Sequence, residues 1–150
     1  MSVTVTGMRD FKSQIKKLGP LFSDAVDQGV FVTSEEVRAY AVKSIQETSP
    51  GRQVQRTKQG GKGTYTHTAA AKNYAPNSDT GKLVTSIASN KTGNGTYKVG
   101  SGLDYASWLE FGTKKMDARP WLQPAMRANG HNLIVNISEV VDIFIERLAK

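Results

Sequence analysis

The sequence contains no cysteine, and this absence excludes disulfide bonds and thiolate metal sites. No apolar run approaches the roughly 20 residues that a helix needs to cross a bilayer. The first residues also lack the charged and then apolar pattern of a secretory signal. For a chain of 150 residues, these features predict one domain, and they fit synthesis in a reducing cytoplasm.

Side chains that would build a catalytic or metal site are also scarce. The two histidines, His67 and His131, lie far apart without a second ligand type at metal-binding spacing. The Gly-Lys pairs at 61–62 and 81–82 lack the Ser or Thr that must follow the lysine of a phosphate-binding loop. No G-x-S-x-G nucleophile motif is present. The sequence therefore predicts no enzyme activity, no cofactor and no metal site.

Acidic residues are missing from one long segment. Lys and Arg total 20 against 13 Asp and Glu, which gives a formal net charge of +7. No Asp or Glu lies between Thr48 and Ser78, whereas this segment contains a set of basic residues: Arg52, Arg56, Lys58, Lys62 and Lys72. A basic excess favours polyanionic neighbours such as DNA, although it also keeps soluble molecules apart by self-repulsion. The segment is therefore the candidate contact with DNA.

Apolar spacing predicts helices at both ends of the chain. A short helix over Met8–Leu18 is expected to be separated by Gly19-Pro20 from a long helix over Leu21 to about Gln46. Gly29 is a point where the long helix could bend, and Ser49-Pro50 should end it. The last helix is predicted from one apolar stripe, made of Leu133, Ile137, Val140, Val141, Phe144 and Leu148.

Residues 51–79 consist mainly of Gly, Thr, Gln, Lys, Ser and Asn and lack the apolar period of a buried element. We interpret them as a mobile basic loop, or as a hairpin with its tip at 60–63.

Two strands are predicted after this segment, over Leu83–Ala88 and Thr96–Gly100, with a turn between them. Asp104 could cap a following short helix, which Gly112 should close. The predicted fold class is α+β, with a small antiparallel sheet flanked by a long N-terminal helix and a C-terminal helix, and with a long basic loop.

Aromatic residues concentrate between positions 105 and 121. One interpretation is that these aromatics pack in the core under the long helix, at a turn that is held by an ion pair between Glu110 and Arg119. A compatible interpretation is a subunit interface, because aromatic and Arg residues are enriched at such contacts. The predicted interface residues are Tyr105, Trp108, Glu110, Phe111, Gly112, Thr113, Arg119, Pro120 and Trp121.

The run YASWLEFGT at 105–113, followed by RPWLQPAM at 119–126, resembles a known signature. Its tyrosine-alanine, Glu-Phe-Gly-Thr and Arg-Pro-aromatic elements are those of the tail-completion (neck, head–tail joining) proteins of long-tailed bacteriophages. The run TGKLVTSI at 80–87 is similar to a second pattern of that family, a strand that follows a helix ending at a proline. Here residues 51–79 are inserted between that proline, Pro50, and the Thr-Gly pair.

The resemblance implies a structural protein of the virion, similar in fold to tail terminators and without catalytic residues. Such subunits assemble as a ring, for which we expect six copies, at the capsid-proximal end of the tail. The implied partners are other copies of the chain, the head connector or stopper protein, the tail tube protein, and DNA that passes through the ring without base recognition.

The inserted segment lies outside the resemblance, and two roles are open for it: lining the DNA channel or docking on an adjacent ring. Its candidate contact residues are Arg52, Arg56, Lys58, Lys62, Tyr65, Lys72 and Tyr74. The alternative function for the chain is that of a small basic nucleic-acid-binding protein, for which the sequence offers no helix-turn-helix motif.

Overall fold

The computed structural model describes residues 8–58 and 60–148, with the side chains of residues 18–58 and 60–147. Its elements in these ranges are α1 (Met8–Gln46), β1 (Gly51–Thr57), β2 (Thr64–Ala70), α2 (Lys82–Ser86), β3 (Ile87–Gly93), β4 (Thr96–Ser101), α3 (Asp104–Phe111), α4 (Leu122–Asn129) and α5 (Asn132–Leu148). Strand β1 pairs with β2, and β3 pairs with β4, both in antiparallel register. The predicted α+β class is confirmed. None of the helices in the described ranges has the length and apolarity needed to cross a membrane.

Helix α1 runs without interruption through Gly19 and Pro20, so the predicted break at Gly19-Pro20 is wrong. A proline inside a helix removes one backbone hydrogen bond and disfavours helical geometry. Here apolar side chains on both sides of Pro20, including Leu18 and Leu21, meet side chains of α5 such as Phe144. Packing against α5 therefore holds together two helical segments that local preference alone would separate.

Helices α1 and α5 cross at Gly29. A Cβ atom on Gly29 would lie 2.5 Å from Cγ1 and 2.7 Å from Cα of Ile137. Next to this contact, the hydroxyl of Thr33 donates to the Gly29 carbonyl at 2.9 Å, and Asn136 Nδ2 donates to the Thr33 hydroxyl at 3.0 Å. Both Asn132 and Asn136 also donate to Oε2 of Glu36. A glycine is therefore required because the two helix backbones approach too closely for a side chain.

The hydrophobic core lies between the C-terminal half of α1 and the elements from α2 to α4. Its buried side chains are Val37, Ala41, Ile45, Leu83, Ile87, Ala106, Trp121 and Ala125. The Trp121 indole donates to the carbonyl of Ala106 at 3.3 Å, which satisfies its polar group inside the core.

Residues 82–86 form the helix α2, and strand β3 begins only at Ile87. The predicted strand over Leu83–Ala88 is therefore wrong for its first four residues. Gly81 precedes the helix with φ of 75°, and Ser86 donates back to the Leu83 carbonyl at 2.7 Å. Leu83 and Ile87 both lie in the core. A spacing of four residues keeps two side chains on one face of a helix and also on one face of a strand, so this apolar pair did not distinguish the two structures.

The turn between β3 and β4 is fastened to α1 by one carboxylate. Lys91 Nζ donates to Oδ2 of Asp27 at 2.7 Å, and the backbone N–H of Gly95 donates to Oδ1 at 3.0 Å. The hydrogen bond from Lys91, followed by the one from Gly95, lowers the pKa of Asp27 below its ordinary value of 3.8. The pKa of Lys91 is raised above 10.5 by the same hydrogen bond. The predicted turn therefore also orients the second sheet against α1.

Candidate interaction surfaces

Helix α3 carries an exposed aromatic ridge, which we define as Tyr105, Trp108 and Phe111. Their exposed fractions are 36%, 55% and 80%, and their spacing of three residues keeps them on one side of the helix. The opposite side buries Ala106 and Glu110. The aromatic ridge thus exposes three aromatic side chains on a helix whose opposite side is packed into the core.

The sequence analysis predicted the C-terminal end of α3 correctly but not its N-terminal cap. The N-cap residue is Leu103 and no side chain makes a capping hydrogen bond, so the predicted cap by Asp104 is wrong. Asp104 is instead the first helical residue, where a negative charge suits the helix dipole. Gly112 closes the helix with φ of 74°, as predicted, and a Cβ there would lie 2.8 Å from the Met116 carbonyl oxygen.

Glu110 fixes the segment that follows α3. The residue is 8% exposed, and its carboxylate accepts three backbone hydrogen bonds at the start of α4. Oε2 accepts from the N–H groups of Trp121 at 2.8 Å and Leu122 at 2.9 Å, and Oε1 accepts from Gln123 at 2.8 Å. These donors are among the N–H groups that a helix leaves without internal partners. Glu110 therefore caps α4 and joins α3 to α4 across the aromatic-rich residues 105–121.

Arg119 does not pair with Glu110, so the predicted ion pair is wrong. Its Nε donates instead to the carbonyl of Ala70, at the base of the β1–β2 hairpin, at 2.7 Å. Its backbone N–H donates to the Leu109 carbonyl, also at 2.7 Å. The two charged side chains are used separately, because Glu110 is occupied by backbone donors and Arg119 attaches the hairpin to the α3–α4 corner.

The inserted segment contains a regular β-hairpin over residues 51–70. The register is complete from Gly51 opposite Ala70 to Thr57 opposite Thr64. Lys58 donates its backbone N–H to the Gly63 carbonyl at 2.9 Å, and the tip contains three glycines with positive φ at positions 60, 61 and 63. The hairpin interpretation and its tip position are confirmed, while the mobility of the segment in the free subunit stays a prediction.

Asp79 ties one face of the hairpin to the loop that follows it. Its carboxylate lies 3.3 Å from the guanidinium of Arg56 and 3.8 Å from Nδ1 of His67, and it accepts a hydrogen bond from the Tyr65 hydroxyl. This hydrogen bond raises the pKa of Tyr65 above its ordinary value of 10.0. The hairpin is therefore attached to the loop by its side chains as well as by its ends.

The base of the hairpin is closed by an amide. Asn77 Oδ1 accepts from the Ser49 backbone N–H at 2.6 Å, and its Nδ2 donates to the carbonyls of Ser49 and Thr68 at 2.9 and 2.8 Å. A cleft of about 360 Å³ lies beside it, and its polar lining includes Lys82 and Arg119. Asn77 thus connects the end of α1 to β2.

The basic residues of the segment divide into two groups. Arg56 pairs with Asp79, and Lys72 pairs with Asp117 at 3.4 Å. Among the residues that the structure describes, the cations at 52, 58 and 62 have no ion pair, and Tyr74 is exposed. The unpaired positive charge of the hairpin is therefore concentrated on β1 and at the tip.

The interface and contact residues predicted from the sequence are distributed between surface and interior. Of the predicted interface residues, the aromatic ridge and Thr113 are exposed. Gly112, Arg119 and Pro120 are half-buried, and Glu110 and Trp121 are buried. Within residues 8–58 and 60–148 there is no cluster of three or more side chains suited to hold a metal ion.

Comparison with known families matches residues 9–112 to the model described as "Bacteriophage HK97-gp10, putative tail-component". The chain belongs to the HK97-gp10-like family. This HK97-gp10-like protein is thus a structural component of a phage tail, in agreement with the tail-completion resemblance. The matched range includes Glu110 and Gly112 but ends before Arg119 and Trp121. The chain has no significant match among curated proteins or solved structures.

Proposed function

We propose that this HK97-gp10-like protein is a structural subunit of the phage head–tail junction. Copies of the chain, six by our expectation, form a ring at the capsid-proximal end of the tail. The ring joins the tail tube protein to the head connector or stopper protein and lets DNA pass. Membership of a tail-component family supports this proposal, and so does the surface of α3.

The aromatic ridge is the observation that carries the proposal. Large apolar patches are seldom left bare on monomeric proteins, and they mark interaction sites when they occur. The aromatic ridge is backed by Glu110 and Trp121, which hold α3 and α4 in one arrangement. Tyr and Trp dominate the energy of many interfaces. A rigid aromatic ridge on each subunit is what a ring contact of this kind requires.

In a head-to-tail ring, each contact joins two different surfaces of the subunit. The ring closes only when the rotation from one subunit to the next adds up to a full turn. In such a ring the aromatic ridge of one copy contacts a different surface of the next copy. We expect the isolated protein to stay monomeric at low concentration, because no tail end is present to order neighbouring copies.

The test compares Phe111→Ser with Ile134→Ser, because these two side chains are 80% and 78% exposed and only Phe111 belongs to the aromatic ridge. Each variant is supplied to a phage that lacks this chain, and joined particles are counted by electron microscopy. We expect both variants to fold, since exposed substitutions usually change stability by less than about 0.5 kcal/mol. Phe111→Ser should leave separate heads and tails, and Ile134→Ser should give joined virions. Normal joining with Phe111→Ser would remove the aromatic ridge from the ring contact.

A free nucleic-acid-binding protein is the second candidate function. It is favoured by Arg52, Lys58 and Lys62, which have no ion pair with any side chain in the described part of the chain. Isolated protein would then bind duplex DNA with an affinity that falls steeply as salt rises, because binding releases counterions. Salt-dependent binding of the monomer, together with normal head–tail joining in its absence, would replace the junction proposal by this one.

A further inference from the structure

The backbone of β1 alternates between groups that face β2 and groups that face away from it. The ladder is anchored at its ends by the Lys58 N–H bonded to the Gly63 carbonyl and by the Ala71 N–H bonded to the Pro50 carbonyl. In an antiparallel pair the hydrogen-bonded positions recur at every second residue. Even-numbered residues of β1 therefore bond to β2. The odd-numbered residues of β1 direct their N–H and C=O groups outward.

The outer side of β2 is already occupied near its base. The carbonyl of Thr68 accepts a hydrogen bond from Asn77 Nδ2, and the carbonyl of Ala70 accepts one from Arg119 Nε. Both residues are even-numbered members of β2, as the ladder requires of outward-facing groups. Side chains from the body of the protein thus cover the base of this edge.

The outer side of β1 has no such cover. Within the part of the chain that the structure describes, no hydrogen bond reaches the outward backbone groups of four residues, which we call the open edge: Gly51, Gln53, Gln55 and Thr57. All four are exposed. None of them is proline, and the pairing with β2 contains no bulge; the charged side chains of this strand are those of Arg52 and Arg56. Natural proteins usually block such an edge with these devices, because an unpaired strand accepts another strand.

We propose that the open edge of β1 receives an extended segment of another tail or neck protein as a third strand. We infer that this segment carries acidic side chains opposite Arg52. The proposal rests on the junction function, because it describes how the β1–β2 hairpin would dock on an adjacent ring. Addition of a strand to an exposed edge derives affinity from main-chain hydrogen bonds and specificity from alternating side chains.

The acidic character of the segment follows from the charge on β1. Arg52 has no carboxylate partner within the described residues, while Arg56 is already paired with Asp79. Both side chains project from even-numbered positions on the same face of the hairpin. Opposite charges on directly facing strands stabilise a sheet, and like charges destabilise it.

The same charges disfavour a second copy of β1 as the occupant. Antiparallel pairing of two β1 strands, centred on Val54, would place Arg52 of each copy opposite Arg56 of the other. A pairing related by a two-fold axis would also close a dimer, whereas a head-to-tail ring needs a repeating contact. A strand from a different protein avoids both conflicts.

The test uses a matched pair of proline substitutions, Gln55→Pro and Thr66→Pro. The two residues face each other in the register and share one side-chain hydrogen bond, so both variants lose it. Each proline removes an outward N–H and leaves the inner ladder intact, which is the position where strands tolerate proline. Only Gln55 lies on the open edge. The variants are supplied to a phage that lacks this chain, and incorporation and joining are scored separately.

We expect Gln55→Pro to reduce joined particles at least tenfold, whereas Thr66→Pro should join like the unmodified chain. A charge reversal, Arg52→Glu, should also reduce joining. Normal joining with Gln55→Pro overturns the proposal, and normal joining with Arg52→Glu overturns its acidic part. If Arg52→Glu impairs joining while Gln55→Pro does not, the contact of β1 is with DNA phosphate and the added strand is refuted.

Hydrogen exchange on the unmodified chain provides a second readout that does not depend on the variants folding. The amides of Gln53, Gln55 and Thr57 should exchange at least tenfold more slowly in particles than in the free subunit. Equal exchange in a chain located at the junction overturns the added strand and leaves the junction function intact. Protection in a chain located elsewhere in the tail supports the added strand and refutes the junction function.

Discussion

Replacing Glu110 by Gln tests whether one buried carboxylate on α3 holds the start of α4 in place. Oε2 accepts from Trp121 and Leu122, and Oε1 accepts from Gln123. The best orientation of a glutamine amide keeps its oxygen toward the first two donors. Its NH₂ group then faces the N–H of Gln123, so that two donors oppose each other and one bond is lost.

The expected cost follows from the kinds of hydrogen bond involved. A hydrogen bond to a charged group contributes about 1.5–3 kcal/mol, and a buried donor without a partner costs about 1–3 kcal/mol. We therefore expect Glu110→Gln to lower the free energy of unfolding by about 2–3 kcal/mol. This is a large share of the ~5–15 kcal/mol that stabilises a domain. Glu110→Ala removes all three acceptor contacts and should cost more.

Urea unfolding at 25 °C, followed by circular dichroism, measures this difference. The control is Glu139→Gln, which makes the same change on the exposed surface of α5 and should alter the free energy of unfolding by less than about 0.5 kcal/mol. The midpoint should move for Glu110→Gln while the slope with urea stays constant. A stability of Glu110→Gln within about 0.5 kcal/mol of the unmodified chain would refute the capping role.

Three further predictions follow from other contacts. Gly29→Ala should destabilise the protein by about 1–3 kcal/mol in urea unfolding, because the added methyl group overlaps α5. Asp27→Asn should destabilise it at pH 7. In melts the difference should shrink as the pH falls below about 3.8, the ordinary pKa, and should be lost below the lowered pKa of Asp27 in the folded chain, where its carboxylate becomes protonated. Exchanging Lys58 and Lys62 for Gln should spare joining but alter DNA retention in a salt-dependent way if the hairpin tip lines the channel. Impaired joining would instead support the docking role.

The changes at Gly29 and Asp27 each have a control in the same chain. A Cβ on Gly19 would meet no atom within 4 Å, so Gly19→Ala should stabilise α1 by up to about 1 kcal/mol. Equal effects of alanine at Gly19 and Gly29 would contradict the close helix crossing. Asp142→Asn, at an exposed position on α5, controls for loss of charge at pH 7. A pH-independent effect of Asp27→Asn would show that its ionisation does not stabilise the turn.

Features that depend on residues close together in the sequence could be predicted from the sequence. The period of apolar residues indicated the helices at both ends, and the glycines at 60–63 indicated the hairpin tip. Gly112 was identified as the end of α3 because a positive φ is a local requirement that glycine meets at low cost. The family signature was visible for the same reason, since its residues lie close together in the chain.

Features that depend on which elements meet in space were decided by the tertiary structure. Pro20 lies inside a continuous helix because α5 packs on both sides of it, and Gly29 is a crossing point because Ile137 lies against it. Glu110 and Arg119 were paired in the sequence interpretation because opposite charges in one short segment suggest a salt bridge. The backbone donors of α4 and the carbonyl of Ala70 are nearer partners.

The candidate contact surfaces show the same division. Composition indicated that the inserted segment is basic and that residues 105–121 are rich in aromatics. Sequence could not separate the exposed Phe111 from the buried Trp121, because both are aromatic residues in one segment. Nor could it show that Asn77 and Arg119 cover the base of the β2 edge, whereas no such side chain covers the open edge of β1 in the described part of the chain. Side-chain chemistry is encoded residue by residue, but exposure and the choice of hydrogen-bond partner arise only when distant parts of the chain pack together.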